Sequence, residues 1–242
     1  NEYPGGKLTE KNGSGYRFDL GPSVFTMPHL IDELFVLAGK NPRDYFSYTR
    51  LDTSFRYFFE GGKCIIAFAD RQKFAKEIVE KTSDSEESLF KYLEDISTKY
   101  DILNFHKIDA FNSMHEGNKR FFKDPNVIQL FDYYASYVGS NPLVAPATLN
   151  LISHLVLNIG TCMPDKGMYS IIMALVKLAE DIGVRFFYNS LVDEILVKDR
   201  AAIGIKVKER VLPYDRVISN MDVYYTYERL LPGEKKPTRI LN

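Results

Sequence analysis

Gly5-Gly6-Lys7 is the first place where residue type and spacing suggest a ligand. A backbone without side chains approaches a pyrophosphate closely, and an ammonium beside it adds positive charge. Pro4-Gly5-Gly6 alone is equally an ordinary turn. Gly13-Ser14-Gly15 opens like a dinucleotide fingerprint, but Phe18 holds the third glycine position and no strand precedes the loop, so a hairpin turn is the better reading. The four histidines, His29, His106, His115 and His154, fall in no metal-ligand spacing, and His115-Glu116 lacks the second histidine of a zinc-protease helix. They read as ordinary surface or core histidines, with no metal expected. No Gly-x-Ser-x-Gly elbow is present, which excludes that route to a serine hydrolase. Cys64 and Cys162 form no Cys-x-x-Cys pair, so a reducing cytoplasm is the natural setting and a disulfide framework is not expected.

Such residues need a scaffold, and 242 residues suffice for one large domain or two modest ones. A hydrophobic fraction of 45% is enough for a sizeable core. The 31 basic and 32 acidic side chains balance without a long single-sign run, which argues against nucleic acid as a partner. No apolar run approaches the roughly 20 residues of a membrane span. The 17 Phe and 16 Tyr, with no Trp, fit either a tightly packed core or the lining of a long apolar ligand site. Composition does not choose between them.

Element signals run the length of the chain. Residues 7–9 and 16–20 flank the Gly13-Ser14-Gly15 turn as short strands, and Met27-Pro28 opens a helix that Gly39 ends. Aromatic and β-branched runs at 54–60 and 63–69, joined by Gly61-Gly62, predict a hairpin with a two-residue turn. Asp70 caps one predicted helix, and Ser83 or Asp84 caps the next. A weaker helical pattern covers 106–122. Asp124-Pro125 starts a clear helix that Gly139 ends, and 147–157 is helical again. Residues 168–182 predict a strong helix, followed by strands at 184–188, 191–197, 201–207 and 216–219 and a last helix at 223–231. The helical stretch from about 70 to 160 reads as an insertion between two α/β pieces.

Four ordered segments carry a resemblance. Pro4-Gly5-Gly6-Lys7 with Gly15-Tyr16-Arg17-Phe18-Asp19-Leu20-Gly21-Pro22-Ser23 is the first, and Tyr137-Val138-Gly139-Ser140-Asn141-Pro142 with 145–149 is the second. Pro164 through Gly167-Met168-Tyr169 to Gly183-Val184 is the third, and Ser219-Asn220-Met221-Asp222-Val223 is the fourth. Together they resemble the signatures of phytoene dehydrogenases (phytoene desaturases of bacterial and fungal type) in the flavin-containing amine oxidoreductase superfamily. The chain reads as a fragment lacking both ends of such a protein.

The resemblance implies an α/β fold: a discontinuous, incomplete Rossmann-like FAD-binding domain with an inserted α+β substrate domain. Residues 1–26 and 160–222 would belong to the FAD-binding domain, and 27–159 and 223–242 to the carotenoid substrate domain. Gly5, Gly6 and Lys7 would lie near the flavin pyrophosphate and ribose, and the backbone of Val192 would meet the adenine. The implied activity is FAD-dependent desaturation of a carotenoid precursor such as phytoene. The implied partners are a long apolar polyene and a membrane surface, with the protein peripheral at the inner face of the cell membrane. Arg17 and Asp19 read as a structural ion pair, and no catalytic residue is assigned. Asp165-Lys166 and His154-Leu155-Val156 depart from the family pattern, so no acidic role attaches near His154. A flavin amine oxidase of the same superfamily and a non-catalytic carotenoid or lipid carrier are the rival readings.

Overall fold

The computed structural model describes residues 1–100 and 109–234. By packing, the chain divides into a large unit, Lys7–Gly183, and a small unit made of Asn1–Gly6 and Val184–Asn242.

The large unit opens on a hairpin, β1 (Thr9–Gly13) and β2 (Tyr16–Leu20). Gly13 pairs with Tyr16, which leaves a two-residue loop. Ser14 and Gly15 both have positive φ, 50° and 81°, the twist that suits a tight hairpin. After β3 (Phe25–Thr26), Pro28 occupies the first turn of α1 (Pro28–Leu37), where its missing N–H costs nothing. β4 (Tyr48–Arg50) and the hairpin β5 (Thr53–Phe58) with β6 (Cys64–Phe68) follow. The Gly61-Gly62 hairpin is confirmed but its loop is longer than two residues: Phe58 pairs with Cys64, and Phe59 N donates to Lys63 O at 2.8 Å.

Asp70 caps α2 (Arg71–Lys81), accepting from Lys73 N at 2.8 Å. Ser85, not Ser83 or Asp84, accepts from Ser88 N at the start of α3 (Glu86–Tyr100). Asp84 is engaged elsewhere, accepting from Lys123 N and Asp124 N, while Asp124 accepts in return from Ser83 N. The two buried carboxylates thus brace the start of α3 against the start of α5. Of the helix expected over 106–122, α4 (Met114–Lys119) is present, while its start and His106 lie outside the described residues. α5 (Pro125–Asp132) is capped by Asp124, and a 3-10 turn carries the chain to Gly139. α6 (Leu151–His154) continues into a π turn over Leu155–Ile159.

β7 (Thr161–Pro164) enters between β3 and β4 and pairs antiparallel with both. α7 (Tyr169–Asp181) follows, as its apolar period requires. Phe25, Phe35, Phe46, Cys162 and Ile171 form one core between this sheet and helices α1 and α7. A second core joins α2, α3 and α5 around Phe74, Tyr92, Phe122 and Phe131. The rings of Phe122 and Phe131 stack 4.6 Å apart. Much of the aromatic excess is therefore core packing.

In the small unit, β8 (Glu194–Lys198), β9 (Ala201–Val207) and β10 (Arg210–Pro213) form an antiparallel sheet in the order β10-β9-β8. Residues 184–188 and 216–219, expected as strands, form no ladder among the described residues. A strand exists only where a neighbour takes up its backbone donors and acceptors, and neither run pairs with a described strand. Asp222 caps α8 (Val223–Tyr225), which runs on as a π turn to Leu230. Among the described residues no helix is long and apolar enough to cross a membrane.

Candidate functional site

The small unit contains a cleft of 620 Å³. Its position follows from how β8 begins. Asp193 N donates to Lys206 O at 2.8 Å, and the Asp193 carboxylate accepts from Lys208 N. These bonds fix the backbone on the C-terminal side of Val192 and leave its side chain half-buried. Ile195 pairs across the sheet with Ile205, and with Val192 and Leu230 they line the apolar part of the cleft. Asn1, Asn189, Ser219 and Asn220 supply amides and hydroxyls. Asn189 N donates to Asn1 O at 2.9 Å, which ties the first residue to this wall.

Among the described residues the lining side chains are all uncharged. Apolar surface beside neutral hydrogen-bonding groups suits a flat heteroaromatic ring that stacks on aliphatic carbon and bonds at its edges. The cleft therefore fits the adenine end of a dinucleotide such as FAD.

The expected site residues distribute unevenly. Val192 lines the cleft. Gly5 and Gly6, with φ of 99° and 59°, belong to the same small unit without lining it, and open space surrounds Gly6. Lys7 is exposed, opens the large unit, and has no ion-pair partner among the described residues. Asn1 and Asn189 are lining residues that sequence reading missed. The signal at Asn189 is its place in Tyr188-Asn189-Ser190, since asparagine tolerates the left-handed φ of 52° found there.

The polar groups of the large unit are engaged structurally. Arg17 and Asp19 form the expected ion pair at 2.6 Å. His115 Nδ1 lies 2.6 Å from Asp132, whose other oxygen accepts from Asn118 Nδ2. His154 stacks on Tyr100 with ring centres 4.4 Å apart, and its Nδ1 meets Asn158 Nδ2 at 2.8 Å. Burial, with the nearby Arg71 charge, pushes His154 down and favours the neutral ring. Among the described residues no three His, Cys, Asp or Glu side chains converge as a metal site would require.

The sequence pattern of the flavin containing amine oxidoreductases matches residues 1–237. The chain belongs to that family. FAD is accordingly the cofactor, as the cleft's chemistry allows. The 1-hydroxycarotenoid 3,4-desaturase of Flavobacterium sp. (strain P99-3) is 35% identical over 100% of this chain and 54% of its own length. The 4,4'-diapolycopene oxygenase of Methylomonas sp. is 34% identical over 96% of this chain and 51% of its own. The carotenoid 3,4-desaturase of Haloarcula japonica is 27% identical over 98% and 52%. The chain thus spans about half the length of the curated relatives it matches.

Solved structures agree on the fold. An oxidoreductase from Methanosarcina mazei superposes with a TM-score of 0.65 at 20% identity, covering 97% of this chain and 55% of that one. Putrescine oxidase superposes with a TM-score of 0.56 at 14% identity, covering 95% and 52%. The mixed helix-and-strand architecture is that of FAD-dependent oxidoreductases with a Rossmann-like domain.

Proposed function

We propose that the intact protein is an FAD-dependent desaturase of a long apolar polyene of the carotenoid class, phytoene or a later precursor. The observation that carries the reading is the whole-chain match to the Flavobacterium carotenoid desaturase, joined to a cleft that suits an adenine. Residues 1–26 and 160–222 would serve the cofactor, with Val192 at the adenine and Gly5, Gly6 and Lys7 toward the pyrophosphate. Residues 27–159 and 223–242 would serve the substrate. FAD would supply the two-electron oxidation: a saturated carbon beside the polyene would lose a hydride and its neighbour a proton, both hydrogens ending on the flavin as FADH2, and the two carbons would become a double bond that lengthens the conjugation. The chain's own contribution is alignment and exclusion of water, because a hydrocarbon offers no charge to grip.

Such a substrate partitions into bilayers, so the protein would work peripherally at the inner face of the cell membrane, exposed to the cytoplasm. Leu30, Leu34, Val36 and Leu37 stand exposed on α1 and support an apolar surface contact. The Methylomonas oxygenase supports a second reading, in which the carotenoid gains oxygen.

The test is to express the intact gene in cells that accumulate phytoene or a pale later polyene, and to analyse the pigments. Longer conjugation without added oxygen supports desaturation, and oxygenated products favour the second reading. Unchanged pigments together with peroxide release from amines would replace both with an amine oxidase. A purified protein without flavin absorbance would point to a carrier.

A further inference from the structure

At Gly167 the chain turns from β7 into α7 with φ +83°; Gly167 N donates to Pro164 O at 2.9 Å, and Ser170 N and Oγ donate back to Gly167 O. The guanidinium of Arg17 fills the place where a Cβ on Gly167 would stand. Only glycine lets a side chain lie this close to the backbone.

Arg17 is aimed from its own hairpin. It sits on β2 with Asp19, two residues on and so on the same face, and Glu10 pairs with Asp19 across the hairpin. The guanidinium bonds Asp19 at 2.6 Å and lies 3.6 Å from Glu10. Arg17 therefore joins β2 to the entry of α7. The far end of β2 makes an equally close contact, because the carbonyl of Lys7 occupies the place of a Cβ on Gly21, whose φ is +92°. One short strand is thus held to α7 near one end and to the backbone of Lys7 at the other.

We propose that Arg17 is a positioning residue for the cofactor, acting through β2 and Gly21 to hold Lys7 for an anionic group. The proposal rests on the reading above, in which Lys7 faces the FAD pyrophosphate. The effect is one of position: Arg17, itself held by Asp19 and Glu10, fixes the strand against which the Lys7 backbone lies. A lysine at position 17 would keep the charge and lose the planar fork that covers the glycine.

The experiment measures FAD affinity by flavin fluorescence on the intact protein, with thermal unfolding recorded alongside. Arg17→Ala is expected to raise the Kd for FAD about threefold, less than Lys7→Glu does, and Arg17→Lys to raise it less still. In a Lys7→Ala background, Arg17→Ala is expected to add almost nothing, because the residue through which it acts has gone. Gly167→Ala, which evicts the guanidinium, should mimic Arg17→Ala; because its positive φ also strains the fold, the Arg17 and Lys7 pair decides. An unchanged Kd in Arg17→Ala, or an equal loss in both backgrounds, overturns the positioning role while leaving the enzyme a flavoprotein. A wild-type protein that binds no FAD overturns the functional reading itself.

Discussion

The large unit closes two cores of large apolar side chains, whereas the small unit closes few of its own. In the large unit Phe74, Tyr92, Phe122, Phe131 and Tyr134 are almost completely buried in one core and Phe35 in a second, while Leu37, Phe58 and Phe111 stand exposed. The small unit buries Ile195 and Leu230 and leaves Phe187, Leu191, Val211 and Ile218 in the open, Ile218 at 95% exposure. A core closed on itself supplies its own stability. Leu191 and Ile218 line the cleft, and apolar side chains left open gain stability only from what covers them. On the proposed reading the large unit serves as scaffold and the small unit as binding surface.

Truncating one side chain in each unit should break the contrast most visibly. Phe131→Ala is expected to destabilise the large unit by about 3–5 kcal/mol, through lost burial and the cavity left beside Phe122 and Tyr92. Ile218→Ala in the same chain should change stability by less than about 0.5 kcal/mol. Chemical denaturation of both variants checks this, and equal losses would erase the distinction between the units.

Acid should weaken the large unit next. Burial alone would raise the Asp124 carboxyl, but the backbone N–H groups of Ser83 and Asn126, with Lys63 Nζ 4.0 Å away, hold it below the ordinary carboxylate range. A carboxyl depressed in the folded state stabilises that state fully above its unfolded value, near pH ~3.9, and loses the contribution as pH falls through the folded value. Asp124→Asn is expected to cost about 1–2 kcal/mol at neutral pH and to flatten the loss of stability below about pH 4. Denaturation curves across the acid range measure both. An unaltered acid profile would remove Asp124 as the titrating group.

The smallest expected effect is confined to the cofactor. Lys7→Glu, on an exposed side chain, should leave stability within about 0.5 kcal/mol of wild type. It should weaken FAD binding to the intact protein by about fivefold to tenfold, most at low salt. Unchanged affinity at low ionic strength would take Lys7 out of the phosphate site.

Local chemistry was legible where the answer was local. The Ser14-Gly15 turn, the Asp70 and Asp124 caps, the stop at Gly139 and the long α7 all follow from residues within a few positions of one another. Reading failed where a distant partner decides. Asp84 looks like a helix cap, but it spends its oxygens on Lys123 and Asp124, some 40 residues away. Residues 184–188 and 216–219 have strand-forming side chains, yet pairing and not propensity makes a strand. In the site, Val192 was singled out through the family pattern, and it lines the cleft. Asn1 and Asn189 were not legible, because they meet through one backbone bond across most of the chain. The guanidinium of Arg17 over Gly167 is a contact between residues 150 positions apart, and nothing in either segment announces it.

Hydrogen exchange on the intact protein, with and without FAD, tests most directly whether the small unit is the binding surface and the large unit the scaffold. Added FAD is expected to slow exchange in peptides covering 189–195 and 217–221, the walls of the cleft, while α2, α3 and α5 exchange as slowly as before. Protection confined to those helices, with the cleft peptides unaffected, would contradict the assignment of the cofactor to this cleft.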